Sequence, residues 1–215
     1  MNAETIAKPK AQLPPPRERI LAAAADLFYR HGIRAVGVDS IAEAAGTNKM
    51  TLYRHFPSKD ALVAEYLRQE ADTIDGCWQH LEKEFPDDPL AQLCGWLKGM
   101  ANHAGDCNER GCALANAAIE LPEKEHPARR VIETHKTAHC KRLAALARSA
   151  GLRDPEMLAD DLLLLLEGAP VTAQSVGTEG LGERLMRAGG ALIDSHEAGT
   201  RPALKKSKPA VAQGR

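Results

Sequence analysis

The chain has 215 residues, with 44% hydrophobic, 27% charged and 4% aromatic side chains and a formal charge of −1. That make-up fits a folded protein of one or two small domains, able to bury a core without disulfides or a structural metal. It excludes a membrane-spanning helix, because the run Leu162–Leu166 is hemmed in by Asp161 and Glu167 and a span needs about 20 apolar residues.

Residues 1–16 read as a disordered arm, polar and ending in Pro14-Pro15-Pro16, which favours polyproline II over helix. No apolar signal-peptide core is present there, so a cytoplasmic chain is expected. A first helix is predicted from about Arg17 to His31, since Ile20, Leu21, Ala24, Leu27 and Phe28 recur at helical spacing. Gly32 is its stop. A second short helix covers about Val38–Ala45, and Gly46 supplies a left-handed turn. A third starts after Asn48, a good N-cap, and runs from Lys49 to Phe56 before Pro57. Ser58 caps a fourth, whose Leu62, Val63, Tyr66 and Leu67 share a face.

Further helices follow. Asp88-Pro89 opens one that runs to about His103. A loop spans Ala104 to Gly111, and a helix covers about Cys112–Leu121. Pro127 opens a helix to about Ala150, stopped by Gly151. Asp154-Pro155-Glu156 repeats the cap-plus-proline signal ahead of a helix to about Val176, and a last helix spans about Leu181–His196. No stretch alternates at period two, so no sheet is predicted. The charge is uneven: nine basic against seven acidic residues up to residue 66, 14 against 22 over 67–200, and five against none over 201–215. The acidic span reads as solvated surface and residues 201–215 as a disordered basic tail.

The informative stretch is IAEAAGTNKMTLYRHFPSK, Ile41 to Lys59. Ala45 is small where two helices cross, and Ile41 and Leu52 sit where each helix faces a shared core. That leaves Lys49, Met50, Thr51, Tyr53, Arg54 and His55 on or near the outer side of the third helix. Such a helix fits the major groove of double-stranded DNA, about 12 Å wide, with its N-terminal residues at base edges. Lys49 suits guanine or phosphate, and Met50 suits a thymine methyl. Thr51, Tyr53 and His55 suit phosphate oxygens. Lys59, in the first turn of the fourth helix, joins that helix's positive end in attracting a phosphate.

Residues Arg17 to Leu67, through RERILAAAADLFYRHG, IAEAAG and KMTLYRHFPSKDAL, resemble the N-terminal DNA-binding domain of the TetR family of bacterial regulators. Two positions depart from the family pattern. Gly37 stands where a threonine often opens the second helix, and Thr47 stands where a hydrophobic turn residue is common. The resemblance implies an all-α fold of about nine helices, with a helix-turn-helix domain over 17–66 and a ligand-binding and dimerisation domain over 67–200. It further implies a non-enzymatic repressor that binds a palindromic operator as a homodimer and is released by an unknown small-molecule effector. The last two helices usually pair across the dimer; here they offer Leu162, Leu166, Ala169, Ala173, Leu185, Gly189 and Leu192. The eighth helix is apolar on two sides, with Leu158, Leu162, Leu165 and Leu166 on one and Leu163 and Leu164 on another, and must bury both.

Effector contacts are expected from Trp78, Leu93, Trp96, Leu97, Met100, Leu114 and Leu163 as apolar lining, with Cys112, Asn116, Glu120 and His135 as polar groups. The five cysteines, Cys77, Cys94, Cys107, Cys112 and Cys140, are an odd number and are expected to be reduced. A thiol at a helix start beside a cation is the kind that becomes reactive. Cys112, with Arg110 nearby and Cys107 on the preceding loop, therefore gives an alternative reading, a thiol-based redox or electrophile sensor on the same scaffold. His135 and His139 have chelating i, i+4 spacing, but no compact Cys-x-x-Cys accompanies them, and no metal or other cofactor is expected. No phosphate loop, dinucleotide fingerprint or nucleophile elbow is present, so no enzymatic chemistry is expected.

Overall fold

The computed structural model describes residues 13–104 and 110–197. Residues 1–12 of the arm expected over 1–16, Cys107 and the basic tail over 201–215 lie outside the described residues, and Pro16, the last residue of that arm, instead opens the first helix. Among those described, nine α-helices and no strand occur: α1 (Pro16–His31), α2 (Val38–Ala44), α3 (Lys49–His55), α4 (Lys59–Glu84), α5 (Pro89–Ala104), α6 (Ala113–Glu120), α7 (Pro127–Ser149), α8 (Pro155–Val176) and α9 (Leu181–Ser195). The expected all-α architecture is borne out, with bounds that match the sequence signals to within a residue or two. No helix among the described residues is long and apolar enough to cross a membrane.

The chain forms two compact units. The first holds α1 to α3, α4 as far as Gly76, and the later stretch Arg110–Lys136 with α6 and the start of α7. Its core is the stripe read from the sequence: Ile20, Ala24 and Phe28 of α1 pack with Ile41, Leu52, Leu62 and Tyr66, joined by Leu114 and Ala117 of α6. Ala45 is buried between α2 and α3, and Gly46 takes φ +59, a conformation costly for a residue with a Cβ. The turn closes with the Thr47 amide donating to the Ala42 carbonyl at 2.9 Å. Ser58 Oγ accepts from the Ala61 amide at 3.0 Å and caps α4.

The second unit holds Cys77–Glu84 of α4, α5, the rest of α7, α8 and α9. Trp78, Leu93, Leu97, Leu143, Leu158, Leu162 and Leu185 fill its centre. Asp88 caps α5 as expected, its Oδ1 accepting from the Ala91 amide at 2.9 Å. Asp154 does not cap α8. Its backbone is left-handed (φ 47, ψ 54) rather than extended, so its carboxylate makes no capping bond and Pro155 alone opens the helix. The end of α9 is closed by Arg153, whose guanidinium donates to the Ser195 carbonyl at 2.8 Å and the Glu197 carbonyl at 3.1 Å.

Candidate nucleic-acid interface

A helix of seven residues does not hold together alone, so α3 must be fixed from outside. Three contacts do this. Asn48 Oδ1 accepts from the Thr51 amide at 2.9 Å and satisfies one of the helix's orphan donors. Leu52, fully buried, anchors the inner side. Phe56, also buried, closes the C-terminal end beneath the Arg17 guanidinium, 5.3 Å above its ring.

The outer side carries the residues singled out from the sequence. Lys49, Met50, Tyr53, Arg54 and His55 are exposed and Thr51 is half-buried. Met50 is 84% exposed and Tyr53 42%, and both stand out as large hydrophobic groups left in water beside a well-packed core. Arg54 Nη2 donates to Thr51 Oγ1 at 3.4 Å. Lys59 is set apart: it is half-buried, with its ammonium 6.0 Å from the centre of the Phe28 ring. Burial pushes it below the ordinary lysine range, while the carboxylates of Asp60 and Glu120 work against that shift.

Two acidic residues were not legible as parts of this surface. Asp39, on α2, holds the Lys49 ammonium at 3.1 Å. Glu65, on α4, takes hydrogen bonds from Arg17 and, at 2.7 Å, from Arg68, and so ties α1 to α4. The Arg17 hydrogen bond holds the Glu65 carboxyl below its usual range. Its i, i+3 partner Arg68 could have been found by spacing, but Arg17, 48 residues away, could not.

The expected effector residues are drawn from both units. Trp78, Trp96, Met100 and Leu163 belong to the second unit, and Cys112, Asn116 and His135 to the first. Trp78 and Trp96 stack at 5.7 Å with the His139 ring 5.4 Å from each, and the buried Trp96 Nε1 has no hydrogen-bond partner among the described residues. Met100 packs against this core. Leu163 is half-buried on α8. In the first unit Asn116 lines a cavity of about 10 Å³ with Tyr29, Tyr66, Arg110 and Glu120, room for about one water. His135 is buried, and that burial pushes its imidazole below the usual value. Cys112 is half-buried, its sulfur 3.6 Å from the Lys136 ammonium.

Of the residues expected at a dimer contact, Leu162, Ala169, Leu185 and Gly189 are buried within the subunit itself, and a Cβ on Gly189 would stand 2.6 Å from Leu97 Cδ1. Leu166 and Leu192 pack at the edge of the same core, and Ala173 is half-buried. The large hydrophobic side chains that α8 leaves in water are Met157, Leu164 (73% exposed), Val171 and Val176. No group of three or more His, Cys, Asp or Glu among the described residues is placed to hold a metal.

Comparison with known proteins agrees with this geometry. Residues 20–66 match the family described as bacterial regulatory proteins, tetR family. The HTH-type transcriptional repressor KstR2 of Mycolicibacterium smegmatis is 34% identical over 95 residues, which is 44% of each chain. The HTH-type transcriptional regulator RutR of Escherichia coli is 37% identical over 84 residues, 38% of each. The chain thus spans less than half the length of these curated relatives. Likeness to solved structures reaches further. SCO4454 of Streptomyces coelicolor, a TetR-family transcriptional regulator, superposes with a TM-score of 0.79 at 27% identity, covering 84% of this chain and 95% of that one. The sav143 protein of Streptomyces avermitilis does so at 0.73 and 31%, covering 85% and 98%. With the capped helix, its turn and its exposed face matched in sequence, and nearly the whole fold matched in structure, the chain belongs to the TetR family of bacterial transcriptional regulators.

Proposed function

We propose that the protein is a DNA-binding transcriptional regulator, a repressor that inserts α3 into the major groove of a palindromic operator as a homodimer and is released by a small-molecule effector. The observation that carries this reading is the exposed Lys49, Met50, Tyr53, Arg54 and His55 face on a helix whose Asn48 cap and Leu52 anchor leave it rigid. Phosphate contacts from Thr51, Tyr53, His55 and Lys59 set register, and Lys49 and Met50 read base edges. The second subunit docks on the apolar surface that α8 leaves exposed, Leu164, Val171 and Val176. The effector is held in the second unit, where the Trp96 indole N–H, without a partner among the described residues, is a donor for an acceptor atom on the ligand. Helix α4 is covalently continuous through both units, so an effector that favours one placement of that rod weakens DNA binding by the factor with which DNA weakens effector binding.

Selection of bound duplexes from a random pool tests the central claim. A two-fold symmetric motif, bound with an affinity that falls steeply with salt, supports it. Recovery of no enriched sequence refutes it.

A second reading, sensing by a thiol, is favoured by the Lys136 ammonium at 3.6 Å from Cys112 Sγ, a cation beside a sulfur at a helix start. Cys140 differs: burial, then the carboxylate of Asp160, pushes its thiol up and away from reactivity. Oxidant-driven release from DNA that persists in a Cys112→Ser variant would exclude Cys112 as the sensor.

A further inference from the structure

The short helix α6 lies far from α1 in sequence, yet it is fixed to the end of α1 at two points. At its start, the Arg110 amide donates to Tyr29 Oη at 2.7 Å, and Tyr29 donates in turn to the Gly111 carbonyl at 3.2 Å. The Arg110 guanidinium donates to the Tyr29 carbonyl at 2.8 Å, and Asn116 Nδ2 holds the Arg110 carbonyl at 2.9 Å. At its last residue, Glu120 Oε2 accepts from the backbone amide of Arg34 at 3.1 Å. Gly32, at φ +85, lets the carboxylate in: a Cβ there would stand 3.0 Å from Glu120 Oε2 and 3.1 Å from Oε1. The two anchors are separated by the length of an eight-residue helix, roughly 12 Å. The space beside them, lined by Tyr29, Arg110, Asn116 and Glu120, holds about one water.

What Glu120 holds is the turn between α1 and α2. That turn sets where α2 begins, and α2 meets the reading helix across Gly46. We propose that Glu120 is a positioning residue for the reading head: by taking the Arg34 amide it fixes the α1–α2 turn and hence the presentation of α3. The inference rests on the DNA-binding function proposed above. It runs against the simple effect of charge. If Glu120 acted only as an acidic group near a DNA-binding surface, its removal would strengthen binding. Positioning requires the opposite.

The experiment uses the full chain and the duplex that the wild-type protein enriches from a random pool, titrated at two salt concentrations. Glu120→Gln keeps the reach and one acceptor oxygen, Glu120→Asp keeps the charge but falls short of the amide, and Glu120→Ala removes both. The expected pattern is Gln within about two-fold of wild type, with Asp and Ala each weaker by about ten-fold and an unchanged salt slope. Hydrogen exchange at the Arg34 amide should be slow in wild type and Gln and faster in Asp and Ala. If the alanine variant does not fold, the aspartate variant carries the comparison. Tighter or unchanged binding by Asp and Ala, or unchanged exchange at Arg34, overturns the role of Glu120 and leaves the DNA-binding reading standing. Failure of the wild type to enrich any duplex overturns both, with Arg34 exchange then reporting a contact that serves the fold alone.

Discussion

Replacing Tyr53 by alanine separates recognition from folding. The side chain is 42% exposed, turned about 100° around α3 from the buried Leu52 that precedes it, and its hydroxyl has no partner among the described residues. Truncation removes no core contact, so stability should move by no more than about 0.5 kcal/mol, the range for surface substitutions. The effect on DNA is of another size. A hydroxyl donating to a charged phosphate oxygen contributes roughly 1.5–3 kcal/mol. An operator bound by two subunits loses that twice, about 3–6 kcal/mol, or on the order of 10² to 10⁴ in affinity. The assay is a gel-shift titration at fixed salt, paired with thermal melting of the free protein. Tyr53→Phe divides the loss between hydroxyl and ring. Because tyrosine carries no charge, the salt slope should be that of the wild type, whereas Lys49→Ala should make it shallower. A folded Tyr53→Ala variant that binds within two-fold of wild type would refute the assignment of this face.

Leu52→Ala should destabilise the first unit by about 2–5 kcal/mol, because the side chain is wholly buried; a urea midpoint equivalent to less than about 1 kcal/mol would show that α3 is not packed as described. Asn48→Ala should cost about 1 kcal/mol by freeing the Thr51 amide, with Asn48→Ser restoring most of it; equal melting of all three proteins would dismiss the cap. The imidazole of His135 is depressed by burial, with Lys136 adding to the effect and Asp75 and Asp72 opposing it. The unfolded chain therefore takes up a proton more readily than the native one. Stability from this site is full above the ordinary histidine value and declines as pH falls through about 6.5 towards the depressed native value. Melting curves should show that decline in wild type and a flatter profile in His135→Gln, and parallel profiles would contradict it.

The parts of the fold that were legible are those written in local chemistry. Gly32 and Gly46 mark backbone turns, Asn48 and Asp88 bring their own acceptors, and the α1 stripe recurs every three or four residues, so these elements fall where the sequence puts them. Asp154 shows where that reasoning fails. Residue type permits a cap, but only the backbone angle decides whether the carboxylate reaches an amide. The site residues contributed by long-range pairing carried no signal at all. Tyr29 with Arg110 and Arg34 with Glu120 are 81 and 86 residues apart, with no period or spacing to join them. The two-sided apolar character of α8 was readable, but not which side its own subunit would use. That is decided by α5 and α9, which enclose Leu162 and leave Leu164 in water.

Leu52 is the one buried side chain of α3, and the cap that starts the helix precedes it in sequence. Selection for foldability therefore constrains a single position within the heptapeptide. On the DNA-binding reading proposed above, point changes at its exposed neighbours would alter which duplex is preferred while leaving the packing of the scaffold as it is.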